Sequence, residues 1–340
     1  MPMRSQLFSL HKRTRQSSRA PMTLADKSGS IDVVIVNWNA GPLLLACLNS
    51  VATAASDRVA CVIVIDNGST DGSADLDVPG LPLTIVKTGT NLGFGSACNL
   101  GAAMGSADYI LMLNPDTEVT PGAFERAAAF LDSAANHKVG VVGIRLVGRD
   151  GVAQRHCARF PRWSTFVGHS TGLAHLFPRR FAPMLMLDFD HRQSRTVDHV
   201  MGAFYLIRRS LFEQLGGFDE DYFVYLEDLD LSYRVQQAGH SIRYLSDVQV
   251  YHRQGGTSEQ VKAHRLFYSM RGVITYSAKH FSRGEAVMVA FATFCVEPIT
   301  RTVLAIAHRS PGEVWATWRG FAMLWRDGYA LFRRLRFPND

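Results

Sequence analysis

Val64-Ile65-Asp66-Asn67-Gly68-Ser69-Thr70-Asp71-Gly72 is the stretch that decides the fold. It ends a β-branched apolar run, begun at Val59, on a carboxylate, an amide and a turn glycine. A strand apolar on both faces belongs inside a parallel sheet, and its polar residues then emerge at the carboxyl end, where open α/β sheets bind ligands. The run 31–36, apolar except for Asp32, delivers Asn37-Trp38-Asn39 in the same way. The run 109–113 delivers Asn114-Pro115-Asp116-Thr117-Glu118.

Working outward, helices are expected over 42–54, with Pro42 in the first turn, over 91–104 and over 121–134. Further strands are expected at 83–86 and 139–144. This alternation predicts an α/β fold with a mainly parallel central sheet flanked by helices. Residues 148–196 mix Arg, His, Phe and Pro without a clean period, which predicts loops and short helices. A strand-like run covers 197–207, and two short strands are expected at 241–245 and 248–251, the second leading to His252.

Past Gly255-Gly256-Thr257-Ser258 the composition changes. Residues 261–280 read as a helix. The apolar stretches 286–296 and 299–308 are separated by Glu297-Pro298, and neither reaches the ~20 apolar residues of a membrane span. Trp315, Trp318, Phe321, Leu324, Trp325 and Tyr329 then interleave with Arg319, Arg326, Arg333, Arg334 and Arg336. That pattern suits either an amphipathic helix in a headgroup region or a helical subdomain on the core. Three segments result: a disordered basic tail over 1–29, a main domain over 30–258 and a C-terminal helical extension over 259–340.

The net charge of +6 calls for an anionic partner. No basic-aromatic recognition stripe is present, so nucleic acid is not expected; a nucleotide diphosphate or an anionic membrane surface fits the charge. The five cysteines are unpaired in number and lack a CxxC spacing, which argues against a disulfide framework or zinc site and for a reducing, cytoplasmic setting. The tail pairs Arg4, Lys12, Arg13, Arg15, Arg19 and Lys27 with Asp26 alone and has no signal-peptide core.

Tyr225-Leu226-Glu227-Asp228-Leu229-Asp230-Leu231-Ser232 carries the chemistry. Carboxylates crowded beside the apolar run Tyr222-Phe223-Val224 are costly unless solvated, paired or used, and their repulsion raises a pKa toward that of a working base. An acidic first helical turn is the plain alternative. Taken in order with the strand-end motifs, the cluster resembles the inverting family 2 glycosyltransferases of GT-A fold, over residues 31–258.

That resemblance implies a role for each motif. Asp66, Asn67 and Gly68, with Asn37 and Asn39, would bind the donor nucleotide, and Asn91, Gly93 and Asn99 would lie beside it. Asn114-Pro115-Asp116 stands where the family has its acidic metal motif, with asparagine replacing the first acid. Asp116 and His252 would hold Mg2+ or Mn2+, and Asn114 would touch the donor ribose or a metal-bound water. Asp228 would be the general base, and Glu227 would orient the acceptor or tune Asp228. Gly202 and Ala203 would let the acceptor approach the backbone.

Within the family the motifs look most like bacterial cell-envelope rhamnosyltransferases. This implies transfer of rhamnose from dTDP-rhamnose, a nucleotide diphosphate sugar, to a polyprenyl-linked or glycan acceptor, at the inner face of the plasma membrane as a peripheral protein. The rivals are the same mechanism with a UDP- or GDP-sugar and a noncatalytic nucleotide-sugar-binding scaffold. A nucleotidyltransferase would need a basic phosphate loop near the first strand, and Val36-Asn37-Trp38-Asn39-Ala40-Gly41 has no Lys or Arg. Oligomeric state has no signature in the sequence.

Overall fold

The computed structural model describes residues 29–54, 57–253 and 261–336. The basic tail and the Gly255–Ser258 boundary lie outside these residues. The central sheet begins with β1 (Ile31–Asn37), β2 (Val59–Asp66), β3 (Leu83–Lys87) and β4 (Tyr109–Leu113). It continues through β5 (Thr117–Val119), β6 (Val139–Val147), β8 (Arg195–Val197), β10 (Phe204–Arg208) and β11 (Ser241–His252), in the order β3-β2-β1-β4-β10-β6-β11-β5 with β8 also on β11. The pairs β1–β2, β1–β4, β2–β3 and β6–β11 are parallel. β10 runs antiparallel between β4 and β6. β7 (Cys157–Ala158) and β9 (His199–Val200) form a separate ribbon. This is the helix-flanked, mostly parallel sheet expected of the GT-A fold.

The alternating motifs account for the site's position. In register, Asn37 pairs with Asp66 and Asp66 with Lys87, so the polar strand ends share one edge of the sheet. Helices α1 (Pro42–Ala54), α2 (Phe94–Ala102) and α3 (Ala123–Asp132) cover the faces. One apolar core joins β1, β4 and β6 to α1 and α3, and a second joins the opposite face to α2.

Three expectations change in detail. The run 197–207 divides into β8, β9 and β10, because Met201-Gly202-Ala203 leaves the ladder to meet Asp228. The segments 241–245 and 248–251 form one strand, β11, whose register slips between Leu245 and Gln249. β5 has no sequence signal; it forms because Thr117 and Val119 find partners along the end of β11.

Within 148–196 the helices are α4 (Trp163–Thr171) and α5 (Leu173–Leu176). The helix α6 (Arg209–Gln214) follows β10, and α7 (Glu227–Gln237) carries the acidic cluster. The extension consists of α8 (Lys262–His280), α9 (Arg283–Phe291), α10 (Glu297–Ala307) and α11 (Pro311–Arg336). A π-helical turn at Ala292–Val296 joins α9 to α10, so Glu297-Pro298 does not break the chain direction as its sequence suggested. Proline has no N–H to donate, and a local widening of the helix accommodates that loss. The resulting 25-residue helical run, Arg283–Ala307, is long and apolar enough to cross a membrane by length and composition. Its inner side is tied to protein: buried Glu297 accepts from Ser170 of α4 at 2.9 Å and from Arg301 at 2.7 Å.

Candidate active site

A cleft of about 560 Å³ opens at the carboxyl ends of β1, β2 and β4. Its walls include Asn67, Asn91, Gly93, Asn114, Asp116 and His252 from the expected set. Asn67 organises one side. Its side chain donates to Asn91 Oδ1 and the Gly93 carbonyl, and accepts from the Leu92 N–H at 2.8 Å. Gly93 adopts φ 87°, and a Cβ there would overlap the Phe223 carbonyl oxygen. That carbonyl instead accepts from the Phe94 N–H at 2.7 Å, which ties the loop before α7 to the start of α2.

Asn37 and Asp66 are buried beneath this wall's strands. Asn37 Nδ2 lies within hydrogen-bond distance of Asp66 Oδ1 (3.0 Å), Ser69 Oγ and Ser73 Oγ, and its own Oδ1 is buried without a partner. Asn39, at φ 49°, accepts from the Thr70 N–H at 2.8 Å, and Gly68 backs onto the Thr90–Asn91 backbone. These four residues build the turn and do not line the cleft. Asn99 points elsewhere: its amide accepts from the Phe218 N–H and donates to the Phe218 carbonyl and Glu220.

Asp116 and His252 meet because β5 pairs with the end of β11, with Thr117 opposite His252. Asp116 Oδ1 stands 3.4 Å from His252 Nε2, and both side chains are largely buried. Gln154 Nε2 donates to the His252 carbonyl at 2.6 Å, which turns its Oε1 toward His252 Nδ1 at 2.9 Å. Nε2 is thereby the ring nitrogen that faces Asp116. A carboxylate and an imidazole nitrogen facing each other across a buried gap suit a divalent cation, and a second hydrogen bond fixing the imidazole is the usual partner of a metal-ligating histidine.

Asp228 is held from two directions. Its Oδ2 accepts from the Gly202 N–H and its Oδ1 from the Leu229 N–H, both at 2.9 Å. Buried His199 places Nε2 3.7 Å from Asp228 Oδ2 and pairs its Nδ1 with Ser232 Oγ. Burial lowers the His199 pKa against the attraction of Asp228, so the imidazole is neutral. Neither Asp228 nor Gly202 lines the cleft; Asp228 is joined to its wall through Gly202, which follows the lining residue Met201. Ala203 accepts the Asn114 N–H at 3.1 Å, which couples this edge to the Asn-Pro-Asp turn.

Glu227 differs sharply from its neighbour. It is buried, with Oε2 lacking a partner. Burial, then repulsion from Asp228, pushes its pKa up to about 8. At neutral pH it is mostly protonated. Asp230 does not cap the helix toward solvent. Burial would raise its pKa, but hydrogen bonds from His280 and Arg234, both at 2.7 Å, hold it below the ordinary value. Arg234 is thereby committed to Asp230.

Sequence reasoning missed the aromatic and C-terminal parts of the cleft. Trp38, Phe94 and Phe223 line it, as do His264, Arg265 and Tyr268 of α8. Val261, His264, Arg265 and Tyr268 follow i, i+3, i+4, i+7 spacing, a signal of one helical face that could have been read. Tyr268 stacks on Phe223 with ring centroids 4.4 Å apart, and Tyr225 and Leu226 both adopt positive φ. The loop before Glu227-Asp228 is thus strained and held in place by the extension.

Comparison with known proteins identifies the family. The sequence pattern of the family described as Glycosyl transferase family 2 matches residues 32–216. The chain is 32% identical over 250 residues to an N-acetylglucosaminyl-diphospho-decaprenol L-rhamnosyltransferase of Mycobacterium tuberculosis, covering 69% of this chain and 80% of that protein. A 49-residue stretch is 45% identical to a rhamnosyltransferase of Escherichia coli, covering 14% of this chain and 19% of that one. Among solved structures, GalNAc-T7 with UDP, GalNAc and Mn2+ shares the fold at TM-score 0.52 and 16% identity, over 83% of this chain and 58% of that one. The matched region contains the Asp66 and Asn-Pro-Asp strand ends, and the long relative extends the likeness across most of both chains: this chain belongs to glycosyl transferase family 2 and is a glycosyltransferase.

Proposed function

We propose that the chain transfers rhamnose from dTDP-rhamnose, with inversion, to N-acetylglucosamine carried on a polyprenyl diphosphate. The observation that carries the mechanism is the division of labour in the acidic pair. Asp228 is oriented by two backbone N–H groups beside the cleft, whereas Glu227 is buried and proton-bearing. Asp228 then takes the proton of the acceptor hydroxyl as that oxygen attacks the sugar carbon. Neutral Glu227 keeps a second negative charge away from the base. Asn67 and Asn91 bind the donor, with Asp66 and Asn37 shaping the nucleotide end of the site.

Asp116 and His252 fit a divalent cation, Mg2+ or Mn2+, which when bound would neutralise charge on the leaving diphosphate. The rhamnosyl donor and the lipid-linked acceptor draw support from the mycobacterial relative. The outer face of the extension supports work at a lipid surface. Phe291 (63% exposed), Ile306 (65%) and Trp315 (63%) face outward, and Arg319 lies over the Trp315 ring at 4.9 Å. Aromatics interleaved with arginines suit an anionic membrane interface, with the protein bound peripherally on the cytoplasmic side.

The test is release of nucleoside diphosphate from a panel of dTDP-, UDP- and GDP-sugars with a polyprenyl-diphospho-GlcNAc acceptor and Mg2+ or Mn2+. Turnover of dTDP-rhamnose that Asp228→Asn abolishes is the expected result. Turnover of a UDP- or GDP-sugar instead overturns the donor assignment.

A further inference from the structure

Helix α8 brings a guanidinium and an imidazole into the cleft that the mechanism above does not use. His264 and Arg265 share the cleft-facing stripe with Tyr268 and are exposed. Among the described residues Arg265 has no carboxylate partner, in contrast to Arg234, Arg271 and Arg301, which are paired with Asp230, Asp327 and Glu297. A guanidinium without a carboxylate partner among the described residues is available to a ligand in the cleft, and its planar fork matches phosphate oxygens.

Their position relative to the apolar face indicates which phosphate. Helix α11 crosses α8 at the same end: a Cβ on Gly320 would stand 3.0 Å from the Ala263 carbonyl oxygen and 3.2 Å from Leu266. Exposed Trp318 precedes that crossing by less than one helical turn. Arg265 therefore lines the cleft together with Met201 and Tyr225, two residues from Ala263, where α11 packs on α8. A lipid-linked acceptor whose chain enters from the aromatic face must carry its diphosphate past this point before its sugar reaches Asp228.

We propose that Arg265, assisted by His264, clamps the diphosphate of the lipid-linked acceptor, so that the helical extension selects phosphorylated acceptors. The proposal rests on the acceptor class given above. It adds a specificity residue outside residues 32–216, the segment matched to the family.

The experiment compares two acceptors with the same donor: GlcNAc-diphosphate-farnesol and uncharged octyl β-GlcNAc. The ratio of their kcat/KM values is measured for the wild type, Arg265→Ala, Arg265→Lys and His264→Gln, and donor affinity is measured by calorimetry. Because Arg265 is exposed, the variants keep the fold, which a thermal melt verifies. The wild type is expected to prefer the diphosphate acceptor. Arg265→Ala should reduce that preference at least about tenfold, the value of one charge-assisted contact, with Arg265→Lys intermediate. Donor affinity should stay within about twofold, well under the ~1.4 kcal/mol of a decade.

A preference left intact in Arg265→Ala overturns the clamp while sparing the acceptor class. A donor affinity that falls with the substitution assigns Arg265 to the donor diphosphate and likewise overturns it. A wild type indifferent to the acceptor's diphosphate removes the acceptor class and the clamp together.

Discussion

At the residue scale, the site works by giving chemically similar groups different surroundings. Asp228 and Glu227 are neighbours, yet one is held by backbone donors and the other is sealed against a second charge. Asp228→Asn keeps the shape and removes the base, so kcat should fall by roughly 10²–10⁴-fold with little change in donor affinity; steady-state kinetics and calorimetry measure the two separately. Glu227 has its folded pKa raised to about 8 from 4.5, so the folded state holds more protons between those values. Stability should therefore decline as pH rises through that window, and Glu227→Gln should flatten the decline in denaturant melts from pH 5 to 8.5. The strand-end polar residues were legible in the sequence because alternation fixes where a parallel strand ends. The protonation contrast was not, since it depends on burial supplied by residues distant in the chain. Asn99 shows the same limit, because helical phase could not reveal that the 217–218 turn would claim its amide.

At the scale of elements, α8 joins the loop before Glu227-Asp228 to the rest of the extension. Phe166, Tyr222, Leu229, Tyr276 and Val289 form one apolar cluster drawn from α4, the acidic loop, α7, α8 and α9. A Cβ on Gly272 would stand 2.8 Å from the Tyr225 carbonyl oxygen, so the helix lies directly on the strained loop. Replacing Gly272 by Val should displace that loop and lower kcat more than donor affinity, a split that kinetics with saturating donor reveals. His280 and Arg234 both bind Asp230, which is almost wholly buried. His280→Ala strips one partner from a buried carboxylate that Arg234 still pairs and should cost about 1–3 kcal/mol in denaturant melts. The helices themselves were legible from apolar spacing. Their docking was not, because periodicity marks an apolar face without naming what covers it.

At the scale of the whole molecule, the chain is a sheet whose carboxyl edge binds and whose C-terminal helices complete one wall. The sequence left the extension as either a headgroup-region helix or a subdomain on the core; it shares an apolar cluster with the acidic loop, so truncation before α8 should abolish activity. The outward apolar residues lie on the helices that form that wall. Ser in place of Phe291, Ile306 and Trp315 should reduce co-sedimentation with anionic vesicles while leaving the thermal midpoint within a few degrees, since exposed apolar residues contribute little to the fold. Equal binding by this variant would contradict the membrane assignment.

The central claim is a single inverting displacement with Asp228 as base. NMR of the product formed from dTDP-rhamnose and a diphosphate-linked GlcNAc acceptor tests it most directly, through the anomeric configuration of the new glycosidic bond. The account predicts a configuration opposite to that of the donor, and no product with Asp228→Asn. A product that retains the donor's configuration, or an Asp228→Asn enzyme that still makes it at the wild-type rate, would contradict it.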